Sequence, residues 1–551
     1  MMMDRNKPKE NVKRWIVKKL LTQPLVVGLG MLVPLLSAGA QPAAERPPNV
    51  LFIIVDDLNT VVYHPAGKPV AICPNLDTFR QQAVTFTNAY ANDPICAPSR
   101  SSMMTGIMPH RSNLTWFESW RVNEMLRTSV HLLPYLRENG YRVYGTGKLY
   151  HNGQENEAAY DTFGPKANFG PFPRRAGGGL APHPDMLYLL DTFKIAHAWE
   201  QTFGRLSAIP GAGEGESQYH GWHLGGQPFR YVSATDRDSL PDEQYATFAQ
   251  GVLAQDHKQP FFLGVGFCRP HTPMYVPDNY FDLFPLDSIR LPATLPHDLQ
   301  DVVSSLTDST RYGFRRYQFL QQDPDKPLLK QWIQAYLASV AFVDEQIGRV
   351  LTALADSPYA ANTLVIITSD HGYHLGEKEF LYKQSPWSEA TRIPMIVRWP
   401  GVTPPGTPCD QPVSLIDIYP TLIEACRLPP HPNRRGNGLE LDGHSLVELL
   451  RQSEADTGAG PDYVLTVLPG EDHTTADTLA TKPPPHFALS TRDWRYIQTA
   501  RGQEELYHVK TDPQEWHNLA QSAEAQPVLT RFREILAQEK QSAPSNHSLT
   551  H

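Results

Sequence analysis

Cys96 and Arg100 lie four residues apart in NDPICAPSRSSMMTG, the stretch from Asn92 to Gly106, which has no clean helical or strand period. A lone cysteine is most often a small buried hydrophobe. Here Pro94 and Pro98 flank it, stiffening the backbone, and a fixed guanidinium charge nearby favours a thiolate or an anionic substrate. Asp56-Asp57 closes the apolar run Asn49-Val50-Leu51-Phe52-Ile53-Ile54-Val55. Acidic pairs often simply end strands, but adjacent carboxylates repel and stay ionised at least cost around a cation, so a metal site is the sharper reading. Lys148 and His151 follow Tyr141-Arg142-Val143-Tyr144-Gly145 and would bring a positive charge and a titratable imidazole to another strand end.

These groups can meet only if a sheet gathers the strand ends. Asn49 to Val55, Pro260 to Phe267 and Thr363 to Ser369 are continuous apolar runs, the pattern of strands buried on both faces of a parallel sheet, whose ligands collect at the carboxyl edge. From Ser101 onward small residues suit a helix beginning beside Cys96, whose N–H groups and dipole would stabilise negative charge there. Leu132 to Gly140 reads as a helix closed by glycine, and Lys330 to Ala355 carries an ordinary core face of Trp332, Ile333, Tyr336, Val340, Val343 and Ile347. Between Thr162 and Arg230 period is lost among glycines and prolines; these residues read as loops that wall a substrate pocket or form a surface insertion.

The chain has 551 residues, 41% hydrophobic and 10% aromatic, enough for one large core and a smaller domain. A net charge of −9 gives no global attraction to nucleic acid or anionic membranes. Lys7 to Lys19 supply six positive charges before the apolar run Leu25 to Leu36, and Ala38-Gly39-Ala40 suits cleavage near Gln41. The run is shorter than the ~20 residues of a spanning helix. Residues 1–40 are therefore expected to be a signal peptide, and the product secreted or periplasmic without stable membrane association. Apart from Cys96, Cys73, Cys268, Cys409 and Cys426 permit disulfides without fixing their pairing.

Cys96-Ala97-Pro98-Ser99-Arg100 with Thr105-Gly106 resembles the signature of the type I sulfatases, and motifs in the expected order run from about Asn49 to Ala520. The resemblance implies that Cys96 is converted to formylglycine by a formylglycine-generating enzyme, and that its hydrate is the nucleophile. It implies metal ligation by Asp56, Asp57, position 96, Asp370 and His371. It also implies that Arg100 neutralises sulfate, Lys148 holds the nucleophile and sulfate, His151 acts as acid or base, and His271 or Lys383 protonates the leaving alcohol. Calcium is the divalent metal expected, though the imidazole of His371 leaves manganese or zinc open. The implied fold is α/β, an alkaline-phosphatase-like sandwich with a large mixed, mostly parallel sheet flanked by helices. A smaller antiparallel sheet with one helix follows, the domains being 48–455 and 461–541 before a disordered tail at 542–551. His371 matches the iduronate-2-sulfatase-like branch, so the expected substrate is a sulfated carbohydrate, with a 2-O-sulfated uronic acid as the leading candidate. The alternatives are hydrolysis of phosphonate or phosphate monoesters, or an inactive receptor for sulfated glycans.

Overall fold

The computed structural model describes residues 46–541 apart from 176–178, 182, 184–201, 210–218, 308–310, 322–326, 453–459 and 471–483. The expected leader and tail lie outside the described residues. The main sheet contains β1 (Asn49–Val55), β2 (Val84–Tyr90), β3 (Arg142–Gly147), β4 (Thr162–Lys166), β5 (Phe261–Phe267), β6 (Thr363–Ser369), β7 (Arg392–Arg398), β8 (Thr407–Cys409) and β9 (Val413–Ser414). Their order is β8-β2-β7-β6-β1-β5-β3-β4, with β9 also paired to β2. Among these strands only β7 runs antiparallel to its neighbours, so the sheet is mixed and mostly parallel, as the apolar runs predict.

Central β1 is paired on both sides and buried throughout. Its alternation sends Leu51, Ile53 and Val55 into one core and Val50, Phe52 and Ile54 into the other. Each such side chain contributes about 1.5–3 kcal/mol by leaving water, and a one-residue slip would exchange the two sets. One face is covered by α3 (Pro241–Leu253) and α4 (Leu328–Ala355), whose expected face from Trp332 to Ile347 is buried. The other carries α2 (Cys96–Thr105), while α1 (Pro74–Arg80) packs against α4. No helix among the described residues is long and apolar enough to cross a membrane.

The second sheet is antiparallel, in the order β10 (Val464–Leu468), β11 (His486–Ser490), β12 (Arg495–Gln498) and β13 (Glu504–Tyr507). It is packed by α5 (Gln526–Gln541) through Leu529, Phe532 and Leu536.

The segment read as loops from Thr162 to Arg230 is corrected in part. Besides β4 it holds strands Phe172–Arg175, Tyr219–Leu224 and Gln227–Phe229 in a small sheet, and Phe203–Arg205 paired with Met274–Val276. Strands of three to six residues broken by glycine and proline are too short to show a period. All five cysteines are buried and unpaired.

Candidate active site

Five chain segments leave the main sheet at one edge. β1 delivers Asp56 and Asp57, β3 delivers Lys148, β5 leads to His271, β6 delivers Asp370 and His371, and β2 runs by a short turn into α2, which opens with Cys96. Two backbone features aim these groups. Asp57 adopts left-handed φ 63, a conformation aspartate tolerates better than most residues, and its N–H donates to Asp370 Oδ1 at 3.2 Å. Gly147 has φ +70, and a Cβ there would stand 2.0 Å from the Gly266 carbonyl oxygen. Glycine is what lets β3 turn Lys148 inward.

The side chains converge. Lys383 Nζ donates to Cys96 Sγ at 3.1 Å and to Asp57 Oδ1 at 2.6 Å. His371 Nε2 stands 3.2 Å from the same sulfur, 3.5 Å from Asp57 Oδ1 and 3.6 Å from Asp370 Oδ2. Its Nδ1 lies 3.0 Å from the Gly372 carbonyl oxygen; a carbonyl only accepts, so Nδ1 carries the proton and Nε2 offers its lone pair to the cluster. Lys148 Nζ donates to Asp56 Oδ2 at 2.5 Å, and Arg100 Nε to Asp370 Oδ2 at 2.8 Å. His271 Nε2 lies 4.0 Å from Asp57 Oδ2, and at 24% exposure its side chain meets solvent.

Burial pushes the Cys96 thiol up to about 12, against the opposing pull of Lys148 and Lys383. As a thiol it is a poor nucleophile. Burial alone would depress Lys148, but Asp56 and then Cys96 more than offset it. Burial, followed by the field of Lys148, Arg100 and Lys383, pushes His151 down to about 3, so the imidazole is neutral. His271 is likewise held well below its ordinary value by burial and then Lys383; an anionic ester beside it would shift it back toward imidazolium.

The donor set fits a divalent cation. Asp56 Oδ1 and Asp57 Oδ2 are buried and accept no hydrogen bond from the described residues, so each carboxylate, its other oxygen paired with a lysine, keeps one oxygen free to ligate a cation. Asp56, Cys96, Asp370 and His371 each turn a ligand atom to one point, with Asp57 alongside. Three carboxylates with one imidazole nitrogen suit calcium imperfectly and manganese well.

Of the residues expected at the site, Asp56, Asp57, Cys96, Arg100, Lys148, Asp370, His371 and Lys383 are joined by direct contacts, and His271 borders them. His151 is not joined to the cluster by a hydrogen bond; its ring packs on Phe117 at 5.4 Å and its Nδ1 lies 3.5 Å from Gln154 Nε2. Other residues hold the site from behind. Glu155 accepts from the N–H groups of Leu149 and Tyr150, fixing the turn after Lys148. Tyr336, expected to be ordinary core, accepts from Asn59 N and donates to the Asp57 carbonyl. Nothing in spacing could reveal the role of Tyr336, which meets Asp57 across 279 residues.

A large mixed, mostly parallel sheet flanked by helices, with a smaller antiparallel sheet, defines the alkaline-phosphatase-like class of fold, and here buried carboxylates and lysines crowd one edge of the large sheet. Within that class the chain belongs to the sulfatase family, and is a sulfuric ester hydrolase: the Sulfatase family model matches residues 48–427. A model of the C-terminal part of N-sulphoglucosamine sulphohydrolase matches residues 371–542. A sulfatase of Formosa agariphila is 32% identical over 89% of this chain and 86% of its own. Human iduronate 2-sulfatase is 30% identical over 73% of this chain and 74% of its own. Among solved structures, a 2-O GAG sulfatase superposes with a TM-score of 0.64 at 20% identity, covering 90% of this chain and 93% of that one.

Proposed function

We propose that this sulfuric ester hydrolase removes sulfate from sulfated glycans, with a 2-O-sulfated uronic acid as leading target, through a formylglycine at position 96 and a divalent cation. The observation that carries the reading is the meeting of Cys96 Sγ with Lys383 Nζ at 3.1 Å and His371 Nε2 at 3.2 Å at the start of α2. The thiol marks the place of the aldehyde hydrate. Likeness to iduronate 2-sulfatase supports the choice of sugar.

Asp56, Asp57, Asp370 and His371 would hold the cation, which when bound neutralises sulfate oxygens and favours an ionised nucleophile. Lys148, Lys383 and Arg100 already balance the three carboxylates, so a divalent ion leaves the site positive toward an ester anion. One hydroxyl of the position-96 hydrate attacks sulfur while the bond from sulfur to the alcohol oxygen breaks. His271 or Lys383 gives that oxygen its proton. His151 then takes the proton of the second hydroxyl, the carbon–oxygen bond to sulfate breaks, and the aldehyde returns. His151 lies within the field of Lys148, Arg100 and Lys383, and as a neutral imidazole it can accept that proton.

The leader at 1–40 directs the protein to a secreted or periplasmic location, with domains at 48–455 and 461–541. The reading is tested by mass spectrometry of the Cys96 peptide from protein made alongside a formylglycine-generating enzyme, together with desulfation of defined oligosaccharides. An aldehyde mass and release of sulfate from a uronic acid are expected. An unmodified thiol in fully active protein, or faster cleavage of aryl phosphate than aryl sulfate, would overturn it.

A further inference from the structure

At the start of α1 a second set of ligand atoms converges outside the active site. His64 Nε2 lies 3.0 and 3.2 Å from the two carboxylate oxygens of Asp77, and 3.9 Å from Cys73 Sγ. All three ligand atoms fall within 4.8 Å of one another. Cys73 caps the N-terminus of α1, Asp77 lies in its first turn, and His64 sits at left-handed φ 54 where the preceding turn ends. We propose that His64, Cys73 and Asp77 form a second metal site, for zinc, separate from the catalytic cation.

The chemistry selects the metal. Thiolate, imidazole and carboxylate together are the mixed set of a tetrahedral zinc site, with bonds of about 2.0–2.3 Å. Such bonds at tetrahedral angles put the ligand atoms about 3.3–3.6 Å apart; the imidazole nitrogen here stands 3.0 Å from the carboxylate and 3.9 Å from the sulfur, so the sulfur would move inward by a few tenths of an ångström on binding. Calcium would accept neither the sulfur nor the nitrogen readily. The entrance is open: the His64 and Asp77 side chains are 36% and 39% exposed, while Cys73 closes the floor at 1%. Water would take the fourth position. Arg80 Nη1 stands 3.5 Å from Asp77, a charge that opposes a cation, but its group also donates to the Val62 carbonyl and lies over the Tyr63 ring. Asp344, which caps α1 through Asn75 N and Leu76 N, adds a negative charge on the other side.

On binding, the Cys73 thiol gives up its proton to water and the sulfur–zinc bond forms, with no change of oxidation state. The metal would tie the segment that leaves Asp57 to α1, so its effect is on stability rather than on the reaction. Cobalt(II) reports the site directly, because a thiolate ligand gives a charge-transfer absorption. The calcium-loaded Cys96→Ala protein, which lacks the competing thiol of the catalytic centre, is titrated with cobalt(II), then with zinc. One equivalent should give the thiolate band, zinc should abolish it, and zinc should raise Tm. Adding Cys73→Ser or Asp77→Asn should remove the band and the Tm shift while calcium binding stays intact. Absence of the band in Cys96→Ala, or its survival with Cys73→Ser, overturns the proposal; neither result bears on the sulfatase reading, which rests on position 96.

Discussion

At position 96 the difference between a hydrate, an alcohol and a methyl group decides the outcome. Cys96→Ser should still attack the sulfate ester, since Lys383 and Arg100 remain to bind it, but its sulfoserine has no neighbouring hydroxyl to expel sulfate. A stable adduct of serine with sulfate, visible by intact-protein mass spectrometry, is expected after one turnover. Cys96→Ala should show none, and sustained turnover by the serine variant would remove the aldehyde from the mechanism. The leaving-group assignment is tested separately. Lys383→Ala or His271→Ala should lower kcat on alkyl sulfates by about 10²–10⁴-fold, the usual worth of general acid catalysis, and on nitrophenyl sulfate far less. Equal losses on both would reduce the residues to binding groups. The acidic pair and the CAPSR stretch were legible in the sequence because each is local and chemically unusual, whereas Lys148 and Lys383 took their roles only from the family resemblance. The packing of His151 on Phe117 was not legible, because a three-residue spacing from Lys148 fixes neither the turn between them nor the ring's direction.

Strands and turns make the residue chemistry possible, and their failures should be separable from it. Gly147 and Gly140 both have positive φ, but a Cβ at Gly147 meets backbone at 2.0 Å while nothing lies within 4 Å at Gly140. Gly140→Ala should therefore cost about 1 kcal/mol of backbone strain. Gly147→Ala should add a further ~1–3 kcal/mol of overlap and displace Lys148, so that urea unfolding and kcat fall together. The hairpin bearing Lys383 gives a pH signature. His374 is fully buried, with Nδ1 on the Glu377 carbonyl at 3.1 Å and Nε2 on Ser385 Oγ at 2.7 Å; burial pushes it down to about 3. The unfolded chain takes up that proton below about 6.5 and the fold does not, so its contribution is complete above pH 6.5 and lost as pH falls toward 3. The urea midpoint should drop over that interval, less steeply in His374→Gln; parallel slopes would exclude His374 as the cause. These elements differ in how plainly the chain announces them. Buried parallel strands are unbroken apolar runs and α4 has a full helical period, so both could be read directly. The short strands between 172 and 229 take their register from partners elsewhere, which no local pattern records.

Across the whole molecule, the small sheet does more than cover the large one. β10 donates from Val467 N to the Asn92 carbonyl at 2.9 Å, and Thr466 Oγ1 donates to the Ala91 carbonyl at 2.7 Å, holding the approach to Cys96. β12 and the turn after β13 grip the segment after Lys383. Arg495, with no exposed surface, donates to the Pro386 carbonyl and to Thr391 Oγ1, and pairs with Glu515 at 3.2 Å. Glu515 in turn accepts from Ser388 N and Ser388 Oγ, and Glu505 accepts from Trp387 Nε1. Residues more than a hundred positions away thus hold the segment that follows Lys383. Removing one partner of a buried ion pair leaves the other uncompensated and costs about 3–5 kcal/mol, so Arg495→Ala should lower the unfolding midpoint sharply. Glu515→Gln keeps the side chain's shape and one acceptor oxygen for Ser388 but loses the charge, and gives the cleaner test. If the small sheet positions the lysine, this variant should lose kcat on alkyl sulfates more than on nitrophenyl sulfate, the pattern expected of Lys383→Ala in weaker form, with KM little changed. A loss of stability with both substrates cleaved at wild-type rates would confine the small sheet to a scaffolding role.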